Sequence, residues 1–273
     1  MTTGPRRRMI FTLAAFLFAF AAHAQSLTPA APPRAIVIGF MGGNVAPNDV
    51  IRNERIMADR LRQAYPQGVY FQIFENRRYE AAHQKILELL GGAPNDATAL
   101  HAATSPHAAT PRTSIILYGH SWGASAVVTL ADELHKDGIP VALTIQVDSI
   151  QKKNQQDAVI PANVARAVNF YQPDGFLHGR SEIRAADPAR TQILGNFEVT
   201  YKQIPPQCSL YPWYERKFIK THIAIECDPA LWTRIESLIR ESLPPPTSET
   251  TATATTPAPH AQTPAESHPP SFR

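Results

Sequence analysis

Ser114-Ile-Ile-Leu-Tyr-Gly-His-Ser-Trp-Gly-Ala-Ser-Ala126 joins an apolar, β-branched run to a segment of small residues. The run over Thr113–Tyr118 predicts a buried strand, and the small residues open a helix that Gly138 and Pro140 end. Between them stands Gly119-His120-Ser121-Trp122-Gly123, a Gly-x-Ser-x-Gly pattern in strand–turn–helix context. A turn this tight has no room for a side chain on either flank of the serine, so glycine occupies both. Ser121 is then carried at the tip of the turn and at the N-terminus of a helix, where the dipole favours developing negative charge.

On either side of this stretch the chain alternates strands and helices. Arg34–Phe40 is a short apolar run of the kind buried on both faces of a sheet. A Gly-rich loop, Met41–Pro47, leads to a helix capped by Asn48 or Asp49 and running to about Tyr65, with Val50, Met57, Leu61 and Ala64 on its apolar stripe. Val69–Phe74 reads as a strand and Tyr79–Leu90 as a helix stopped by Gly91-Gly92. Residues 93–112 lack periodicity and read as a surface excursion. Val141–Val147, Val164–Tyr171 and Phe197–Ile204 are further strands, with an irregular stretch over 176–196. Asp228 caps, and Pro229 opens, a last helix through Leu243 that presents Leu231, Trp232, Ile235, Leu238 and Ile239 at helical spacing. Such alternation makes an α/β fold, a mainly parallel central sheet with helices on both faces. Sites in such sheets lie at the C-terminal ends of strands, where Ser121, Asp148, Asp174 and the Gly39–Asn44 loop all fall.

Composition bounds the rest. With 273 residues, 44% of them hydrophobic, the chain has material for one sizeable core. Arg6–Arg8, the apolar run Met9–Ala22 and Ala22-His23-Ala24 form a secretory signal over 1–24, with Gln25 as the first mature residue. The alternative is an uncleaved anchor, for which the apolar run is short. Residues 25–33 are an extended leader, 34–243 the folded domain, and 244–273 a Pro/Thr/Ala-rich disordered tail. The formal net charge of +3 drops to 0 once the three signal arginines are removed, which argues against nucleic acid or an anionic membrane as partner. After cleavage no stable membrane anchor is expected, and the location is periplasmic or extracellular. In that oxidising setting the two cysteines, Cys208 and Cys227, read as one disulfide. No Cys, His, Asp and Glu cluster has metal-ligand spacing in the sequence, so no metal is expected.

Gly119–Gly123 resembles the nucleophile elbow of the α/β-hydrolase family, and the resemblance extends over roughly residues 34–243. It implies a compact hydrolase fold and a Ser, acid, His order along the chain, with no cofactor. Ser121 is then the nucleophile. His222, the last histidine of the folded part and just before the C-terminal helix, is the base, read as lying on a loop. His178 is its rival, and His120 is read as a packing residue. For the acid, Asp174 matches the commoner family position and Asp148 a variant one strand earlier. Asp148 is preferred because it ends a strongly apolar strand, whereas Pro173-Asp174-Gly175 is an ordinary turn signature. Asp157 and Asp187 have less support. The resemblance takes one oxyanion donor from the amide of Trp122 and a second from the loop after the first strand, at Phe40 or Met41.

The expected activity is hydrolysis of an ester or thioester of a small-molecule or lipid-like acyl substrate. A peptidase or acyltransferase could use the same triad, and a hydrolase-fold binding protein without turnover is the alternative outside enzymes. Tyr211–Phe218 and the 93–112 excursion are read as a wall or lid for an acyl pocket.

Overall fold

The structure, a computed structural model, describes residues 32–91 and 113–245. The signal over 1–24, most of the leader, the 93–112 excursion and nearly all of the tail lie outside the described residues.

β1 (Ala35–Met41) is buried along its whole length, as its uninterrupted apolar run predicts. α1 (Asn53–Ala64), β2 (Val69–Glu75), a 3₁₀ turn over Asn76–Arg78 and α2 (Tyr79–Leu89) follow. β3 (Ser114–His120) leads through Ser121 into α3 (Trp122–Lys136), and β4 (Val141–Val147) comes next. Beyond it lie β5 (Val159–Ile160), β6 (Val164–Tyr171), β7 (Arg184–Ala185) and β8 (Gln192–Glu198). The C-terminal part carries a 3₁₀ turn over Pro206–Leu210, α4 (Trp213–Phe218), α5 (Lys220–Glu226) and α6 (Pro229–Ser242). Six strands form one sheet in the order β2-β1-β3-β4-β6-β8, and every neighbouring pair is parallel. β5 and β7 pair separately.

Period-two alternation divides the core between the two faces. Ile36, Ile38, Ile115 and Leu117 pack with Ile86 of α2 and with Val127 and Leu130 of α3. Val37, Ile116, Tyr118 and Ile145 pack on the other face with Met57 and Leu61 of α1 and Trp232 and Ile235 of α6. The chain leaves β1 in one direction to make β2 and returns on the other side to make β3. That reversal opens a crevice beyond the strand ends between β1 and β3, where Ser121 sits.

Four local expectations are corrected. α1 begins at Asn53 rather than at 48 or 49, and Asp49 does not cap it. The Asp49 carboxylate instead accepts from the Ile51 amide and from Arg52 Nε. Val50 is 71% exposed and lies off the buried stripe, whereas Met57 and Leu61 are fully buried. The last strand covers Gln192–Glu198 instead of Phe197–Ile204. Its register slips beside Gly195, a residue that reads as a strand breaker, and Phe197 stacks on Phe170 at 5.4 Å. Finally, Thr221–Glu226 belongs to α5 and not to a loop. Its buried residues, Ile223 and Ile225 among them, make it helical through packing, against the preference of its β-branched positions.

Candidate active site

Ser121 has φ 55° and ψ −124°, a conformation that costs a non-glycine residue of order 1–3 kcal/mol. The neighbours hold it there. Its amide donates to the Val147 carbonyl at 2.9 Å, and its own carbonyl accepts from the amides of Ala124 and Ile150. A Cβ on Gly123 would run into the Phe40 carbonyl, and one on Gly119 would meet the Gly123 backbone at 2.5 Å. The two glycines therefore let the start of α3 press against the ends of β1 and β3.

His222 reaches this serine from α5. Its Nε2 lies 2.9 Å from Ser121 Oγ and its Nδ1 lies 2.6 Å from Asp148 Oδ2. Ser121, His222 and Asp148 are 6%, 2% and 0% exposed, so water competes little with these bonds. Asp148 stands immediately after β4 with φ 44°, a second left-handed non-glycine residue in the same cluster. Its Oδ1 accepts from the amides of Gln172 (3.1 Å) and Gly179 (2.7 Å), and its Oδ2 accepts from Gln172 Nε2 (3.1 Å) as well as facing His222. A carboxylate with this many donors is fixed in direction.

Asp174 is in an exposed turn, where its amide donates to Gln172 Oε1 and its carbonyl accepts from Thr221 Oγ1. His178 is exposed, with Nδ1 facing the Gly175 carbonyl. Asp157 is buried but spoken for by Arg180 Nε at 2.5 Å and Ser149 Oγ at 2.7 Å. Of the two oxyanion candidates on β1, Phe40 pairs with both β2 and β3, whereas Met41 ends the strand and pairs with β2 alone. Trp122 is the first residue of α3, where helical amides lack an intrahelical acceptor.

A cavity of about 300 Å³ opens on Ser121. Val45, Trp122, Ile150, Leu177 and Ile219 supply apolar wall, and Gly42 and Gly43 lie along its backbone side. Glu215 and Ile219 are the parts of the aromatic segment and its end that reach it. Trp213, Tyr214 and Phe218 remain exposed at 63%, 51% and 65%, and Tyr211 is buried against the Cys208–Cys227 disulfide.

The chemistry behind the elbow was invisible in the sequence. The His120 ring lies against that of His222, with centroids 4.6 Å apart and planes tilted by 32°, and neither of its nitrogens has a hydrogen-bond partner. Burial, then His222 and Arg52, push its pKa well below the usual histidine value. Facing it are Glu226 of α5, at 3.6 Å, and Glu54 of α1, at 3.9 Å. Arg52 binds Glu226 at 3.1 Å and Glu215 through two nitrogens at 2.8 and 2.9 Å. Burial and then Glu226 hold the Glu54 carboxyl well above the carboxylate range, and burial also pushes Glu226 up, against the pull of Arg52. Among the described residues, two groups could offer three metal-ligand atoms within 4.8 Å of one another: His120 with Asp148 and His222, and His120 with Glu54 and Glu226.

No protein-family model matches the sequence, and no curated protein matches it. Solved structures do resemble it. RedJ, a thioesterase from the prodiginine biosynthetic pathway in Streptomyces coelicolor, aligns at 11% identity and TM-score 0.41 over 82% of this chain and 98% of its own. A cutinase-like protein from Cryptococcus sp. aligns at 13% identity and TM-score 0.39 over 78% and 96%. A candidate hydrolase of the alpha/beta superfamily from Xanthomonas campestris aligns at 15% identity and TM-score 0.37 over 76% and 99%. Likenesses of this size assign no residue a role. Sheet order, the elbow after β3 and the crevice beside β1 are features of the molecule itself, and by them the chain has an α/β-hydrolase-like fold in a compact, six-stranded version.

Proposed function

We propose that this chain is an exported serine hydrolase that cleaves carboxylic esters or thioesters through an acyl-enzyme on Ser121. One observation carries the reading: the buried hydrogen-bond line from Asp148 through both ring nitrogens of His222 to Ser121 Oγ. In this mechanism Nε2 of His222 takes the Ser121 proton as Oγ attacks the substrate carbonyl carbon. Asp148 accepts from Nδ1–H and balances the imidazolium that forms. The tetrahedral oxyanion meets the amides of Trp122 and Met41, the strand-end member of the β1 pair. His222 then protonates the leaving alkoxide or thiolate, and a water deprotonated by the same nitrogen releases the acid and restores Ser121.

The cavity of about 300 Å³ lies at the small end of ligand pockets, which favours a short acyl group. The Cys208–Cys227 disulfide supports the exported, oxidising location that the N-terminal signal implies. Among the described residues no helix is long and apolar enough to cross a membrane. Cleavage of 1–24 and a folded domain over 34–243 remain part of the same proposal.

Hydrolysis of p-nitrophenyl acetate and p-nitrophenyl laurate by the chain from Gln25 onward tests it. The acetate should be turned over faster, and Ser121→Ala should lower kcat by about 10⁴-fold or more. An unchanged rate in Ser121→Ala would overturn the assignment.

A further inference from the structure

We infer that Glu54, His120 and Glu226 form a binding site for one borderline divalent cation, of the Zn²⁺ type, directly behind the candidate active site. The three residues come from α1, the end of β3 and the end of α5. His120 Nδ1 lies 3.6 Å from Glu226 Oε2 and 3.9 Å from Glu54 Oε1, and all three ligand atoms are within 4.8 Å of one another. Around a four-coordinate zinc with bonds of about 2.0–2.2 Å, ligand atoms stand roughly 3.3–3.6 Å apart. The His120–Glu226 distance of 3.6 Å already has that spacing, and the cluster contracts around it to close on an ion.

Two of the three groups are otherwise without employment, while Glu226 is shared with Arg52. Glu54 is 0% exposed and neither carboxylate oxygen has a partner, while His120 is 2% exposed and neither ring nitrogen has one. Buried polar atoms left this way call for a ligand that the protein itself does not supply. Charge points the same way. One guanidinium, Arg52, already serves Asp49, Glu215 and Glu226, and the Glu54 carboxylate beside Glu226 has no cation bound to it. A divalent ion between Glu54 and Glu226 offsets the surplus.

The donor set selects the class of ion. One imidazole and two carboxylates suit zinc and its first-row neighbours. Calcium takes six to eight oxygens, and this cluster has neither that number nor the room. His120, Glu226 and Arg52 all line the cavity at Ser121, which provides an entry route and a place for a water as the remaining ligand. An ion held here ties α1 to the strand that presents Ser121 and to the helix that presents His222. It fixes His120 against the His222 ring without using any atom of the Ser121–His222–Asp148 line. No spacing motif announces it, because residues 54, 120 and 226 meet only in the folded chain.

The test is direct binding, with no use of turnover. The mature protein is stripped with EDTA, titrated with Co²⁺ and followed by visible absorption, then challenged with Zn²⁺ while thermal unfolding is recorded. One Co²⁺ per chain should bind and be displaced by Zn²⁺, and Zn²⁺ should raise Tm. Glu54→Gln and Glu226→Gln, each checked for a native circular dichroism spectrum, should weaken binding at least tenfold, and either folded variant suffices. Ser121→Ala should bind as the wild type does, which separates this inference from the hydrolase reading. Absence of Co²⁺ and Zn²⁺ binding to the folded protein would overturn it and leave Glu54 and Glu226 sharing a proton. Undiminished binding in Glu54→Gln would also overturn it, by placing the ion at His120, Asp148 and His222 or at the surface.

Discussion

The amide of Gly179 donates to Oδ1 of Asp148 at 2.7 Å, at a point where a Cβ on residue 179 would fall onto the Asp148 backbone and carboxylate. The carboxylate that faces His222 is thus held by a residue 31 positions further along the chain. Gly179→Ala should push the carboxylate off line and reduce kcat/KM for a short ester at least about tenfold. Asp148→Asn should cost about 10⁴-fold, through the wrong histidine tautomer, and Asp174→Asn less than about twofold. Steady-state kinetics on the three purified variants checks the ordering. A larger loss in Asp174→Asn than in Asp148→Asn would reverse the assignment of the acid.

Arg52 is 2% exposed and binds Asp49, Glu215 and Glu226 at once. Removing it strands buried carboxylates on α5 and at the cavity wall. Arg52→Gln should lose about 3–5 kcal/mol of stability, the usual result of breaking a buried ion pair from one side. Urea unfolding of wild type and variant measures it, and a loss below about 1 kcal/mol would mean that the pairs are solvated.

The Cys208–Cys227 bridge spans 19 positions, and His222 lies inside the loop it closes. Loop closure of this length is worth about 3 kcal/mol. Reduction with dithiothreitol should lower the urea midpoint accordingly and slow ester turnover, because α5 carries His222, the proposed base. An unchanged midpoint after verified reduction would contradict this.

Stability should depend on pH through Glu54 when the protein is kept metal-free with EDTA. Burial, followed by Glu226, holds the folded-state pKa of Glu54 well above 4.5. Above that value the unfolded chain gives up a proton that the folded chain keeps, so stability falls as pH rises toward the folded pKa. His120 acts in the opposite direction. Its folded pKa is held well below 6.5 by burial, then by His222 and Arg52, so its contribution is present above 6.5 and is lost as the solution becomes acidic. Glu226, Arg52 and Tyr118 also face this cluster, and Glu54→Gln isolates the one proton. The variant should be more stable than wild type at about pH 8, and the fall between about pH 5 and pH 8 should flatten by up to about 1.4 kcal/mol per unit. Identical slopes by chemical unfolding would contradict it.

Much of the fold was legible in the chain because its signals are local. The apolar runs of β1, β3, β4 and β6, and the Asp228-Pro229 start of α6, are short-range patterns, and Asp228 Oδ1 does cap the Ala230 amide at 2.9 Å. The elbow was legible for the same reason. β8 was misplaced because its edge position and the slip beside Gly195 blur alternation. α5 was read as a loop because helical packing overrides its β-branched residues. Gln172, just past a strand end, and Gly179, inside the irregular stretch, carried no signal, since their service to Asp148 is long-range. The Glu54–His120–Glu226 cluster was missed outright, as three elements distant in sequence supply it.

The central claim is that Ser121 is a nucleophile activated by His222, and fluorophosphonate labelling of the mature protein tests it most directly. The account predicts stoichiometric labelling of the wild type, none in Ser121→Ala and His222→Ala, a sharp reduction in Asp148→Asn and normal labelling in Asp174→Asn. A folded wild-type protein that takes no label, or a Ser121→Ala variant that still does, would contradict it.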